Sequence, residues 1–245
     1  MTEPETTAYP LAPGEDGTAR AWLTAGCPVG APPRPAASVC LLRDGEAGTE
    51  VLWITRGRHL AVAPGRLAFP GGAVDDGDRR RRHDDPAPPD RFVVLARAAA
   101  RELAEETGHR VSARSLRPLV RWVTPEHEPR RYDSTFLVGV LGPGRDPDPV
   151  PPGEVHEHGW CTPRELLGEV LDGRRTALPP TRAVLGRLAG ACRDRAAAQA
   201  VAVLLSESVL VPVVPRATWR DGADRLPVDT RGVDLLLPRH AGDVP

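Results

Sequence analysis

The sequence predicts an α/β protein, and three observations carry that reading. Residues 35–43 and 50–56 are apolar, strand-like runs flanking the turn Asp44-Gly45-Glu46-Ala47-Gly48, so they read as a hairpin. Residues 98–108 are rich in alanine, leucine and glutamate, which favour helix, and Gly108 stands where such a helix would stop. Residues 132–141 alternate well enough for a central strand.

The remaining elements follow in order. Residues 1–33 are rich in Pro, Gly, Thr and acidic side chains and are expected to form a mobile tail, with Trp22 and Leu23 as docking points. After the hairpin, residues 59–67 read as a loop carrying Pro64-Gly65. Residues 79–95 hold four consecutive arginines and several prolines, a composition that suits a surface loop better than a core. Arg91 is expected to begin the main helix early, with Phe92, Leu95 and Ala99 on its buried side. Residues 124–131 join two strands and carry Glu126, His127, Glu128, Arg130 and Arg131; a histidine in such a loop is expected at the surface. Residues 142–152 are a proline-rich loop, 154–163 a strand with Trp160 packing beneath it, and 163–171 a helix capped by Thr162. Residues 183–205 read as one alanine-rich helical stretch. Residues 209–214, 225–229 and 233–237 read as short strands of a C-terminal β-rich extension spanning 206–245.

The helix at 98–108 holds the chemistry. Glu102, Glu105 and Glu106 fall at i, i+3 and i+4 and so share one face. Carboxylates this close repel one another, and Arg101 alone cannot neutralise three. A divalent cation resolves the repulsion, and an all-oxygen donor set on a short span suits Mg²⁺ or Mn²⁺ better than Zn²⁺. Upstream, the Gly71-Gly72 pair within Phe69-Pro70-Gly71-Gly72-Ala73-Val74-Asp75-Asp76-Gly77-Asp78 permits close backbone approach.

Together the two stretches resemble the Nudix box, G-x5-E-x7-R-E-U-x-E-E-x-G-U with U aliphatic. Gly72 matches the opening glycine; Arg101-Glu102-Leu103, Glu105-Glu106 and Gly108 match the second half. Asp78 stands in place of the first glutamate, about fifteen extra residues separate it from Arg101, and His109 takes the last aliphatic slot, with Val111 as a substitute. The long insertion, the Phe-Pro-Gly-Gly opening, Trp122-Val123-Thr124-Pro125, Arg130-Arg131-Tyr132-Asp133 and Leu178-Pro179-Pro180 resemble the coenzyme A diphosphatase branch. That resemblance covers roughly residues 34–189. It implies an α/β/α sandwich with a mixed sheet, and it extends the expected catalytic domain over 34–205. It also implies metal ligation by Glu102, Glu105, Glu106 and the Gly72 carbonyl. Glu102 is a candidate base, Arg101 orients a glutamate, Asp78 supports the site, and Glu154, or Glu157, supplies an outside carboxylate. Arg56, Arg130 and Arg131 are the candidate substrate contacts. Arg56 and Gly65 match the branch's coenzyme-binding signature, whereas Ala61 stands where a second arginine is expected.

Composition narrows the function. The chain has 245 residues and a net charge of −1, so no basic field advertises nucleic acid. All 32 Lys-or-Arg positions are arginine. No apolar run approaches a membrane span, and Cys27, Cys40, Cys161 and Cys192 lack the spacing of a zinc site, which leads to an expectation of a reduced, cytoplasmic setting. The expected partner is a small-molecule diphosphate; a homodimer is left open. The expected reaction is hydrolysis of a diphosphate linkage in a nucleoside diphosphate derivative, with coenzyme A or acyl-coenzyme A as first choice. NADH, a nucleotide sugar or a dinucleoside polyphosphate is the alternative substrate. A non-catalytic ligand sensor, or a scaffold with an acidic helix, is the alternative class.

Overall fold

A computed structural model describes residues 7–10, 16–58, 63–80, 89–142, 147–148, 155–208, 210, 212–215 and 233–236. The element order is β1 (Thr7–Pro10), α1 (Asp16–Thr24), β2 (Arg34–Gly45), β3 (Gly48–Arg56), β4 (Leu67–Ala68), β5 (Gly71–Ala73), α2 (Asp76–Arg79), α3 (Arg91–Thr107), β6 (Arg117–Val123), β7 (Tyr132–Val140), β8 (Val155–Cys161), α4 (Pro163–Leu171), α5 (Pro179–Ala191), α6 (Ala197–Ser206) and β9 (Val233–Leu236). A 3-10 turn, Ala113–Ser115, precedes β6. The main sheet is mixed and has seven strands in the order β4-β3-β2-β7-β6, with β5 added on β2 and β8 on β3. β1 and β9 pair in parallel as a separate two-stranded ribbon.

The chain divides into two compact units. One comprises Met1–Arg34, Arg121–Ser134 and Val211–Pro245; the other comprises Pro35–Val120 and Thr135–Leu210. In the second unit, β2 explains the layering. Its residues 39–42 are buried without a break, as expected of a strand covered on both faces. Ala37, Val39 and Leu41 join Leu95, Ala98, Ala99 and Leu103 of α3 in one core. Cys40 points the other way, where Cys192 at the end of α5 and Arg187 influence its thiol. Beyond the β2–β3 turn, Asp44 Oδ1 accepts from the Ala197 amide at 2.7 Å and so caps α6, and Thr49 Oγ1 donates to the Arg195 carbonyl at 2.6 Å. Helices thus cover both sides of the sheet within this unit.

Several expectations are corrected. The segment expected as a tail contains β1 and α1, and the Trp22 indole of α1 donates to the Pro28 carbonyl at 2.7 Å. Leu67 and Ala68 form a short strand rather than loop, because β3 offers them a free edge. The stretch 183–205 is two helices, since residues 192–196 turn with Asp194 at φ 54°. Phe92 is exposed, whereas Leu95 and Ala99 are buried as the spacing requires. In the C-terminal region, Val213 bridges Trp122 and β9 forms, while 225–229 lie outside the described residues.

Candidate functional site

The site is built where β5 lies against α3, both in the second unit. β5 is pinned to β2 in antiparallel register, Gly71 opposite Ser38 and Gly72 opposite Ala37, and the Val39 amide donates to the Pro70 carbonyl at 2.8 Å. α3 is fixed at both ends. Asp90 Oδ1 accepts from the Phe92 amide at 3.0 Å, and Gly108 closes the helix at φ 72° with its amide on the Ala104 carbonyl at 3.1 Å.

Side-chain-free backbone is what lets the two elements meet. A Cβ on Gly71 would lie 2.5 Å from Ser38 Cα, and one on Gly72 would lie 2.5 Å from Glu102 Cδ. The Gly71 amide donates to Glu106 Oε2 at 2.9 Å. Glu102 and Glu106 therefore face the glycine bend. Glu105 stands farther out, with its side chain 58% exposed.

Arg101 ties the carboxylates together. One edge of its guanidinium is anchored: Nε donates to Asp78 Oδ1 at 3.3 Å, and Nη2 donates to Asp78 Oδ2 and the Ala73 carbonyl at 3.0 and 3.1 Å. From the other edge, Nη1 donates to Glu102 Oε1 at 2.9 Å and Glu105 Oε2 at 3.0 Å. The hydrogen bonds to Asp78, and the nearby Glu102 charge, raise the Arg101 pKa above its already high ordinary value despite its partial burial. Asp78 is buried because α2 folds it inward; its Oδ2 also accepts from the Asp75 amide at 2.9 Å. The i, i+3 spacing of Asp75 and Asp78 is the signal for that turn. The Gly71 amide and the Ala73 carbonyl were not predicted, since backbone groups leave no mark in side-chain spacing.

One guanidinium thus bridges Asp78, Glu102 and Glu105, and a backbone amide donates to Glu106. The carboxylate donors are hard oxygens, which suits Mg²⁺ or Mn²⁺. Among the described residues, however, no group of three or more His, Cys, Asp or Glu side chains is already gathered into a metal-holding set. Arg101 Nη1 sits between Glu102 and Glu105 instead.

The other candidates scatter. Arg56 ends β3, where its amide donates to the Arg66 carbonyl and its carbonyl accepts from Gly65, both at 3.0 Å; Gly65 takes φ 68° in that turn. Ala61 and Glu154 lie outside the described residues. Glu157 is exposed, 4.0 Å from Arg175 Nη1. Arg130 and Arg131 belong to the first unit. Arg130 is exposed, but Arg131 is buried and donates to the Ala31 and Thr124 carbonyls at 2.7 and 3.1 Å, so it secures its loop. His127 overturns the surface expectation. It is buried beside Trp22, with ring centroids 6.2 Å apart, and its Nδ1 has no hydrogen-bond partner. Burial pushes its pKa down to about 4. His109 is buried too, 5.4 Å from the Trp160 ring, filling the box's last aliphatic slot, while Val111 packs on the same core.

Fold and geometry together define a mixed α/β domain with an acidic helix set against a glycine bend. Residues 90–182 match the NUDIX domain family. Among solved structures, a NUDIX hydrolase from Alicyclobacillus acidocaldarius is 27% identical with a TM-score of 0.54, covering 65% of this chain and 92% of that one. Two others are less similar. A Nudix hydrolase from M. smegmatis is 21% identical (TM-score 0.42, 73% and 89% covered), and one from Nitrosomonas europaea is 15% identical (TM-score 0.44, 61% and 84% covered). No curated protein matches the chain. The match over residues 90–182 and the likeness to the Alicyclobacillus hydrolase support a pyrophosphohydrolase. Nudix hydrolases generally act by metal-dependent hydrolysis of nucleoside diphosphate derivatives.

Proposed function

We propose that this enzyme hydrolyses the diphosphate linkage of coenzyme A or an acyl-coenzyme A with the help of Mg²⁺ or Mn²⁺. The observation that supports a hydrolytic site is the approach of Glu102 and Glu106 to the Gly71-Gly72 backbone. Glu102, Glu105, Glu106 and the Gly72 carbonyl are the proposed metal-holding groups. A divalent cation, when bound, neutralises diphosphate oxygens and makes water more acidic.

The chain's own residues do the rest. Glu102, half-shielded beside Gly72, is the proposed base that takes a proton from attacking water. Arg101 keeps Glu102 and Glu105 aimed, with Asp78 holding Arg101 in place. Glu154 is the proposed outside carboxylate. Arg56 is the proposed contact to the anionic substrate within the second unit. The coenzyme A choice rests on the Phe69-Pro70-Gly71-Gly72 opening, the Trp-x-Thr-Pro stretch and Arg56.

The test is a screen of coenzyme A, acetyl-coenzyme A, NADH, a nucleotide sugar and a dinucleoside polyphosphate, each with Mg²⁺ and Mn²⁺. Coenzyme A should be cut to phosphopantetheine and 3′,5′-ADP. Consumption of another diphosphate with coenzyme A untouched overturns the substrate assignment. Glu106→Gln should lower turnover about 10²–10⁴-fold with the fold intact, and full activity in that variant refutes the site.

A further inference from the structure

We propose that Arg97 is a positioning residue for the reaction: it holds the end of α2 against α3, and through α2 it keeps the Asp78 carboxylate on Arg101 and Arg101 on Glu102. This rests on the reading of Glu102 as the base.

α2 lacks what usually holds a helix. It is four residues long, and a single turn fixes several dihedrals for few hydrogen bonds, so it does not persist unaided. Of residues 75–80 only Asp78 is buried, so no apolar face docks the turn. Polar bonds hold it instead. Within the turn, the Asp75 amide donates to Asp78 Oδ2 at 2.9 Å and the Asp78 amide to the Asp75 carbonyl at 3.2 Å. Ahead of it, the Val74 amide donates to the Pro35 carbonyl at 2.9 Å. At its far end, Arg97 Nη1 donates to the Arg80 carbonyl at 3.1 Å.

Arg97 and Arg101 lie at i and i+4, on one face of α3. They grip the same segment at different points. Arg101 takes the Ala73 carbonyl and the Asp78 carboxylate, and Arg97 takes the Arg80 carbonyl two residues farther on. Arg97 is buried, unlike Arg79 and Arg80 of the turn itself. Without Arg97 the turn is held at one end only, and Asp78 moves with it. Arg101 then loses the acceptor that fixes its Nε and Nη2. Its Nη1, which donates to Glu102 Oε1 at 2.9 Å, no longer has a set direction. A base turned from its line lowers kcat more than it raises KM, because the loss falls on the transition state.

The experiment compares Arg97→Met with the parent, both as full chains, by steady-state kinetics and by hydrogen exchange read by mass spectrometry. The substrate is coenzyme A or, if that is untouched, the diphosphate consumed in the screen above. In Arg97→Met, kcat should fall about tenfold with KM within about twofold of the parent, as for loss of an outer support to a working group. Amides of residues 74–80 should exchange about tenfold faster, while those of β2 and β3 keep the parent rates. Arg97→Lys, which can still donate to the carbonyl, should recover part of both. Arg97 has other interactions as well, so a further change acts on α2 alone. A Cβ added at Gly77 meets nothing within 4 Å. Gly77→Ala should therefore firm the turn through helix propensity and raise kcat about threefold in the Arg97→Met background. Unchanged kcat and exchange in Arg97→Met, or faster exchange throughout the chain with no recovery by Gly77→Ala, overturns the assignment. If the parent cuts none of the diphosphates, the hydrolase reading falls, and exchange at residues 74–80 still decides whether Arg97 holds α2. Should Arg97→Met fail to fold, Arg97→Gln is read in the same way.

Discussion

Glu106 holds the Gly71 amide while Glu102 crowds Gly72, and both contacts follow from residue types that were readable in advance. A glycine pair and an i, i+3, i+4 glutamate set announce themselves by spacing. Arg131 and His127 did not, because burial is decided by what packs over a loop. In His127 the outcome has a measurable sign. Its folded pKa, near 4, lies below the ordinary value of 6.5, so the unfolded chain takes up the proton first. Its neutral burial is fully stabilising above pH 6.5 and is lost progressively as pH falls toward 4. The full loss is roughly 3 kcal/mol. Urea denaturation at pH 7, 5.5 and 4 should show a steeper decline for the parent chain than for His127→Phe. Parallel curves would show that the imidazole is not the cause.

At the scale of elements, start and stop signals were the most legible. Thr162 caps α4 as predicted, with its hydroxyl oxygen accepting from Glu165 N, and Gly108 ends α3. The errors came where tertiary partners overrode local pattern. β4 exists because β3 presents an edge, and the helical run 183–205 breaks because α6 must start at Asp44. Gly108 is where a side chain is least tolerated, since φ is 72° and an added Cβ would overlap the Asp148 carbonyl. Gly108→Ala should destabilise the protein by about 1–2 kcal/mol from the left-handed backbone alone, and more from the overlap. Chemical denaturation reads this directly, and a change within error would mean that the helix end rearranges freely.

For the whole molecule, the α/β class and the box were in the sequence, but the division into two units was not. It depends on distant segments, such as β1 with β9 and Trp122 with Val213, coming together, and no local pattern encodes that. No helix among the described residues is long and apolar enough to cross a membrane. A ligand held only by the folded chain must raise its stability by linkage. Mn²⁺ at about a hundred times its dissociation constant should add about 2.7 kcal/mol, seen as a higher melting temperature that a chelator reverses. The gain should vanish in a Glu102→Gln, Glu106→Gln double variant; a gain that persists would place the ion elsewhere. Arg80 and Asp90 are each tied to α3 by a bond of their own. Arg97 Nη1 holds the Arg80 carbonyl at 3.1 Å on one side, and Asp90 starts α3 on the other. Arg97 thereby clasps the end of α2 to the body of α3, so slack at that clasp would reach the Asp78 anchor of Arg101.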